Sequence, residues 1–206
     1  MNFIEFSKIV DQQNVIDIRN VGIYFNGIDR RRLYEWQEKG HIVKIANNFY
    51  CMADADIDDD FLRSAAGKIY SPSYIGLESA LSYYNFIPDA VFQTIAITTR
   101  RNRTMKTKIG DFNYRSIKNP LFFGYRLIES KQRAFFISDP EKTLLDYFYF
   151  KAGSEQRDLI NEMRFNLTEI SEIVNTEKLK DYLRLFASKK LDQACAQLMD
   201  AANVEF

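Results

Sequence analysis

A short helix that runs directly into a hairpin is the feature that most constrains the fold of this chain. Asp29 is followed by three consecutive arginines, Arg30, Arg31 and Arg32, and the helical pattern stops at Gly40. Aspartate is a favoured N-cap because its carboxylate accepts hydrogen bonds from the free backbone N–H groups of the first turn. Glycine ends helices because it adopts the left-handed conformation without strain. The pattern therefore predicts a short helix with a strongly basic first turn.

The residues that follow this helix predict a tight hairpin. Residues 42–45 and 49–52 are largely apolar, with the β-branched and aromatic residues that suit strands. Asn47 and Asn48 lie between them and tolerate the positive φ that a short turn requires. A two-stranded hairpin is expected here.

Two apolar stretches with helical periodicity, 3–12 and 15–26, precede the basic helix, and the second stops at the turn pair Asn26-Gly27. Three helices and a hairpin make a complete small domain, predicted over residues 1–55. A basic helix start placed beside a hairpin is typical of a winged helix-turn-helix, which delivers a helix N-terminus to the major groove of DNA. The sequence therefore predicts a DNA-binding module.

The basic helix and the hairpin supply the residues expected to contact double-stranded DNA. Successive helix positions lie about 100° apart, so the three arginines cannot all face one groove. One or two of them can reach bases or phosphates, because the guanidinium fork can grip guanine in two places. The alternative is an ordinary solvated helix face, in which Glu35 and Glu38 accompany the arginines. The predicted DNA-binding residues are Arg30, Arg31, Arg32, Tyr34, Lys44, Asn47 and Asn48.

A mixed domain is predicted from residue 56 to residue 206. A helical stretch over 74–85 is followed by strand-like runs with short connections and no intervening helix, which favours an antiparallel sheet. Those runs cover residues 92–99, 111–117, 121–129 and 132–138.

The last third of the chain predicts helices. Asp139 and Pro140 are a favoured N-cap and first helical residue, and Asp146 is expected at the edge of the apolar side of the helix they begin. From about residue 155 the pattern is helical throughout. The predicted fold class is α+β, with a winged helix-turn-helix, a mixed domain containing an antiparallel sheet, and a helical C-terminal part. The helices of that part are predicted over roughly 155–165, 168–175, 177–188 and 190–202.

A second basic cluster lies between two predicted strands, where a hairpin loop or a disordered tip is expected. Residues 98–118 contain seven basic side chains against Asp111 alone, a local charge of +6. A flexible basic loop can bind nucleic acid or an acidic protein face through charge alone. The alternative is a loop that only adds solubility. The basic loop residues are Arg100, Arg101, Arg103, Lys106 and Lys108.

Composition excludes several classes of function. Lys+Arg and Asp+Glu are 28 each, so net charge indicates no partner and only local clusters can. The single histidine, His41, excludes the usual histidine-rich metal sites. The acidic run 54–60 is interpreted as a linker and the charged start of a helix, and Cys51 and Cys195 as buried thiols. No glycine-rich phosphate loop is present, so use of a nucleotide is not expected. Neither a metal nor a cofactor is expected.

No membrane partner is expected either. The first residues lack the basic start and apolar core of a signal peptide. No apolar run approaches the length of about 20 residues that a membrane helix needs. A cytoplasmic protein is the expectation.

Three motifs resemble the AbiEi family, the antitoxins of type IV toxin–antitoxin modules that act in abortive infection and phage defence. The first runs from the end of the basic helix through the hairpin, from Lys39-Gly40 through Ile42 to Tyr50. The second is Ser-Tyr-Ile-Gly-Leu-Glu-Ser-Ala-Leu at 73–81, and the third is Ser-Asp-Pro-Glu-Lys-Thr-Leu-Leu-Asp at 138–146. The resemblance covers roughly residues 5–150, and the helical tail matches no motif of the family. The sequence departs from the family at two places. At the wing tip, Asn47 and Asn48 stand where relatives often carry Arg-Gly. In the third motif, Thr143 stands where alanine is usual.

The resemblance implies a cytoplasmic transcriptional autorepressor that is not an enzyme. Its N-terminal domain would bind inverted repeats in operator DNA, and its C-terminal domain would counteract a toxin that resembles a nucleotidyltransferase. These properties follow from the resemblance alone.

Two alternatives come from other classes. Pro88-Asp89 and Glu129-Ser130-Lys131 spell the letters of a PD…ExK nuclease, whose Mg²⁺ chemistry needs these acids on adjacent strands. A DNA-binding regulator that senses a small ligand is the other alternative, because the aromatic runs 83–86 and 147–150 could line a pocket. Core packing also explains those aromatic runs.

Overall fold

Two separate β-sheets organise the chain. The computed structural model describes residues 2–10, 14–24, 29–130, 133–151, 160 and 162–206, and the architecture is mixed α+β. A three-stranded sheet belongs to the first 52 residues, and a six-stranded sheet belongs to the rest of the chain. Within the described residues, no helix has the length and apolar character needed to cross a membrane.

The N-terminal elements pack around a small aromatic core. The ring centroids of Phe6 and Trp36 lie 4.8 Å apart, and Leu33 is buried beside them. The three strands are antiparallel in the order β1-β3-β2. Their elements are α1 (Phe3–Ile9), β1 (Ile16–Asp17), α2 (Ile18–Tyr24), α3 (Arg30–Glu38), β2 (Ile42–Ala46) and β3 (Phe49–Met52).

The predicted helix over 15–26 is wrong at its start. Ile16 and Asp17 form β1, which pairs with Phe49 and Tyr50 of β3, and α2 begins only at Ile18. The turn pair predicted at its end, residues 26 and 27, lies outside the described residues. A two-residue strand carries too little pattern to be recognised in sequence, because tertiary pairing alone defines it.

The larger unit follows with helices on its six-stranded sheet. Its first elements are α4 (Asp59–Ile69), β4 (Ser73–Ile75), α5 (Leu77–Tyr83), β5 (Gln93–Thr98), β6 (Arg103–Lys106), β7 (Asp111–Ser116) and a 3₁₀ turn at Asn119–Leu121. Its remaining elements are β8 (Tyr125–Ser130), β9 (Arg133–Ser138), α6 (Pro140–Phe150), α7 (Leu167–Ile173), α8 (Thr176–Phe186) and α9 (Lys189–Ala201).

The expected antiparallel sheet is in fact mixed. Its strand order is β6-β7-β5-β4-β9-β8, in which β5 pairs with β7 and β4 with β9 in parallel. Strand β7 lies between β5 and β6 and pairs antiparallel with β6. Its pairing with β5 is therefore parallel, although the connections are short. Sequence spacing cannot reveal such an insertion, because each strand shows the same alternation whichever partner it has.

Three predicted elements need correction. The cluster at 100–108, expected to be a loop or a disordered tip, contains an edge strand, β6, over Arg103–Lys106. The helix predicted over 74–85 begins with strand β4 and becomes helical only at Leu77. The strand predicted over 121–129 begins at Tyr125, because Gly124 before it has φ +67°.

The two faces of the larger sheet differ in what covers them. Helix α4 covers one face, where the Tyr114 hydroxyl donates a hydrogen bond of 3.0 Å to the Ala66 carbonyl. The opposite face carries a second apolar cluster that includes Tyr74, Ile95 and Ile97.

Candidate functional site

The first turn of α3 exposes all three predicted arginines. The Asp29 side chain accepts a hydrogen bond of 2.9 Å from the Arg31 backbone N–H, as the N-cap prediction required. Arg30, Arg31 and Arg32 are each exposed, and none of them has an ion pair within the described part of the chain. Their side chains are therefore available to an external anion.

Helix geometry separates the three arginine directions. With Leu33 and Trp36 buried and about 100° between successive residues, Arg31 points directly away from the core. Arg30 and Arg32 project to opposite flanks. Burial raises the pKa of Tyr50 on β3, and the positive charge of Arg30 opposes that shift. Because this effect requires the two side chains to be near each other, Arg30 lies on the hairpin side of α3.

The predicted hairpin residues lie at the tip and on the outer side of β2–β3. Lys44 and Asn47 are exposed, and Asn48 is half-buried with φ +68°, as the turn prediction required. The Asn48 carbonyl accepts a hydrogen bond of 3.0 Å from the Ile18 N–H, which ties the turn to α2. Tyr34 of α3 is 63% exposed.

The second basic cluster is organised around Tyr70, and we call it the Tyr70 patch. The guanidinium carbons of Arg100 and Arg103 each lie 5.4 Å from the centroid of the Tyr70 ring. Tyr70 in turn packs against Tyr114, with 4.9 Å between ring centroids. The patch consists of Tyr70 and five exposed basic residues, Arg100, Arg101, Arg103, Lys106 and Lys108.

Hydrogen bonds hold the backbone of this patch in place. The Tyr70 hydroxyl donates to the Arg101 carbonyl at 3.2 Å, and the Asn102 side chain accepts from the Ser116 N–H at 2.6 Å. The Arg100 N–H donates to the Thr98 hydroxyl at 3.1 Å. The guanidinium groups are thus pre-positioned, which lowers the ordering entropy that binding an anion would otherwise cost.

The residues that match the nuclease motif do not lie on adjacent strands. Asp89 lies in a loop, where Arg164 pairs with its carboxylate at 2.7 Å. Glu129 lies near the end of edge strand β8, and Lys131 falls outside the described residues. Among the residues that the structure describes, no group of three or more His, Cys, Asp or Glu side chains could hold a metal ion.

The end of the acidic run 54–60 forms the charged start of a helix, as predicted. Asp58 is the N-cap of α4 and accepts from the Phe61 N–H at 2.8 Å, while Asp59 and Asp60 lie in the first turn. Arg63 pairs with both first-turn carboxylates. Cys51 and Cys195 are buried free thiols, as expected.

A buried lysine centre, which the sequence analysis did not identify, lies at the start of α6. Lys142 and Asp146 are both 0% exposed and form an ion pair across one helical turn. The Tyr74 hydroxyl donates to the Asp146 carboxylate at 2.9 Å and lies 3.0 Å from the Lys142 Nζ. The rings of Phe123 and Phe186 enclose the ammonium, each with its centroid 5.1 Å from Nζ.

A second layer of charges surrounds this centre. Asp139, the N-cap of α6, accepts from the Tyr182 hydroxyl at 2.9 Å and pairs with Lys178 at 2.8 Å. Lys178 also pairs with Glu141 at 3.0 Å, and the other oxygen of that carboxylate accepts from the Asn175 N–H at 2.8 Å. The first turn of α6 is therefore bound to α8.

Burial shifts the pKa values of the centre in opposite directions. Burial raises the pKa of Asp146 to about 6, although Lys142 and Tyr74 both favour its ionised form. Burial lowers the pKa of Lys142, and the attraction of Asp146 opposes that shift. A lysine and a carboxylate with perturbed pKa values are typical of acid–base sites. Here no substrate can reach them because both are fully enclosed, so the centre fixes α6 against the sheet.

The expectation that Asp146 lies at the edge of an apolar helix side is wrong, since this carboxylate is enclosed in the core. A signal for the pair was present in the sequence: Lys142 and Asp146 are four residues apart and so share one helix face. The partner Tyr74 could not have been found this way, because 68 residues separate it from Lys142.

Most of the aromatic runs considered for a pocket belong to the core. Tyr84 donates to the Ser138 carbonyl at 2.8 Å, and Tyr147 and Phe148 are buried. Phe150 differs, because it borders a cleft of about 340 Å³.

Comparison with known proteins adds no assignment. No family model matches this chain, and no curated protein matches it either.

Proposed function

We propose that this chain is a DNA-binding transcriptional regulator in which α3 enters the major groove and the β2–β3 hairpin acts as a wing. The observation that carries the proposal is the first turn of α3, where Arg30, Arg31 and Arg32 are all exposed without ion pairs in the described part of the chain. Arginine at a helix N-terminus can bind both phosphate and the guanine edge.

The order of elements supports a winged helix-turn-helix. Helix, short strand, two helices and a hairpin follow one another, and the short strand β1 completes a sheet with the hairpin. Exposed Lys44 and Asn47 lie where a wing would meet the DNA backbone. On this proposal Arg31 is the deepest contact with the bases, since it points farthest from the core.

The Tyr70 patch is proposed as a second contact for nucleic acid or for an acidic protein partner. Its five cations have no ion pair among the described residues, and two of them are held over an aromatic ring. Arginine suits such a role because its planar fork matches phosphate and carboxylate groups.

The antitoxin part of the proposal rests on the motif resemblance to the AbiEi family. On that basis the chain would repress its own operon at inverted repeats and counteract a nucleotidyltransferase-like toxin. The larger unit would then act by binding and would catalyse no reaction. Co-expression with the product of the adjacent reading frame tests this part: restored growth supports it, and continued growth arrest opposes it.

A gel-shift titration at fixed salt tests the DNA-binding part. The probe is the DNA upstream of the gene, and the variant replaces Arg30, Arg31 and Arg32 with alanine. Loss of the specific complex is expected, because charge and base contacts disappear together. The matched control replaces Lys189 and Lys190, which lie in the first turn of another helix, α9. Unchanged affinity in the arginine variant would refute the assignment of α3.

A further inference from the structure

A cleft beside Phe150 combines polar and apolar walls on the larger sheet. It encloses about 340 Å³, within the range of small-molecule sites, which begins at about 300 Å³. Strands β5 and β7 form its floor, and the start of α5 and the end of α6 form its walls. Its lining residues are Leu77, Glu78, Gln93, Ile95, Asn113, Arg115, Phe150 and Lys151.

The floor of the cleft presents polar side chains in register. The parallel pairing of β5 and β7 sets Ile95 opposite Asn113 and Ile97 opposite Arg115. Within the described residues, the side chains of Gln93, Asn113 and Arg115 have no hydrogen-bond partner. By contrast, Thr98 and Ser79 nearby satisfy theirs with backbone groups. The unused groups are mostly donors, which suit anionic oxygens.

Charge in the cleft is positive on balance. The Arg115 guanidinium lies 5.3 Å from the centroid of the Phe150 ring, which holds it in position, and its N–H groups have no partner among the described residues. Lys151 is 3.5 Å from Glu78, a loose ion pair that leaves ammonium donors unused. Among the described lining residues, two cations against one carboxylate give a formal charge of +1.

The apolar wall provides a surface for a flat or compact body. Leu77 and Ile95 are buried, and Phe150 is half-buried. Leu77 has φ +52°, a left-handed conformation that is rare for a bulky residue and costs about 1–3 kcal/mol. Such outliers concentrate at ligand-binding sites, because function maintains a conformation that stability alone would not select.

We propose that this cleft binds a small organic anion, with its carboxylate or phosphate group on Arg115 and Lys151 and its apolar body against Leu77, Ile95 and Phe150. Asn113 and Gln93 orient the ligand by hydrogen bonds. The site is separate from the DNA-binding surface proposed for α3 and does not depend on it.

Isothermal titration calorimetry with the full chain tests the site. The probes are adenosine 5′-monophosphate and benzoate, each compared with its uncharged counterpart, adenosine or benzamide, and with inorganic phosphate. We expect at least one of the two anions to bind with a Kd below about 1 mM, and its uncharged counterpart to bind at least about tenfold more weakly.

Three variants assign the binding to the cleft. Arg115→Gln should weaken binding of the anion at least about tenfold, and Asn113→Trp should abolish it by filling the cleft while keeping both cations. Arg126→Gln is the matched control, because Arg126 also lies over an aromatic ring, Tyr84, but outside the cleft. Circular dichroism confirms that each variant is folded.

Three outcomes would overturn the proposal. The first is the absence of saturable binding by either anion. The second is equal binding to the Arg115→Gln variant and to the unmodified chain. The third is binding of inorganic phosphate as tight as that of the organic anions, which would reduce the cleft to a general ion site.

Discussion

The Lys142 ammonium is paired with the Asp146 carboxylate inside the core, and neither side chain is exposed to solvent. Two opposite charges separated by one helical turn thus share an enclosure of aromatic rings and the Tyr74 hydroxyl. Desolvation of both charges opposes their attraction, so such a pair is not automatically stabilising.

A double-mutant cycle should show strong coupling between these two side chains. Lys142→Met or Asp146→Leu alone should lower the free energy of unfolding by about 3–5 kcal/mol, because each leaves an unpaired buried charge. The double variant should lie close to the unmodified chain or above it. Urea unfolding measures all four proteins. Additive losses in the double variant would show that the two charges act independently.

Stability should fall as pH rises through the titration of Asp146. The pKa of this carboxyl is raised to about 6 in the folded chain, above the value of about 3.9 expected when unfolded. Its protonated form therefore stabilises the fold fully below about pH 3.9, and about 3 kcal/mol is lost by about pH 6. The Lys142→Met/Asp146→Leu variant, which lacks both groups, is the reference. If the unmodified chain instead gained stability relative to this variant as pH rises over this interval, the prediction would be wrong.

Two glycines should respond oppositely to alanine. A Cβ on Gly76 would lie 2.6 Å from Ile97 Cδ1, so Gly76→Ala should destabilise the fold by about 1–3 kcal/mol. Gly67 lies within α4 and has no atom within 4 Å of such a Cβ, so Gly67→Ala should stabilise by about 0.5–1 kcal/mol. Thermal unfolding compares them. Equal effects at the two positions would mean that Ile97 moves aside freely.

The salt dependence of DNA binding should show whether the Tyr70 patch contacts DNA. Replacing its five basic residues with glutamine should reduce the slope of log K against log salt by about 4 if all five meet DNA phosphates. If the patch instead binds a toxin, DNA binding stays unchanged and neutralisation in co-expression weakens. The triple arginine variant of α3 serves as the comparison, since it should lose the specific complex whichever partner the patch has. No change in either assay would leave the patch without a binding role.

Local signals predicted the local parts of this structure. Asp29 and Asp139 were recognisable as N-caps because capping involves neighbours along the chain, and the Asn47-Asn48 turn for the same reason. The helices predicted over 168–175, 177–188 and 190–202 match α7, α8 and α9 within two residues at each end. Most of the helix predicted over 155–165 lies outside the described residues.

Features that depend on distant segments could not be predicted. The basic run 100–108 shows no clear alternation, and only pairing with β7 makes its residues 103–106 a strand. The cleft likewise depends on the register between β5 and β7 and on where α6 ends. Arg115 was counted as part of a basic run, and nothing in its sequence neighbourhood indicated that Phe150 would lie beneath it.

The hydrogen bonds and ion pairs of Asp139 have a consequence for truncation. One carboxylate holds the start of α6, the Tyr182 hydroxyl and the Lys178 ammonium together. Removing the chain from residue 176 onward would strip both α8 partners from a largely buried anion and uncover Phe123. The C-terminal helices should therefore melt together with the sheet in one cooperative transition, and a shortened protein should be recovered as insoluble material.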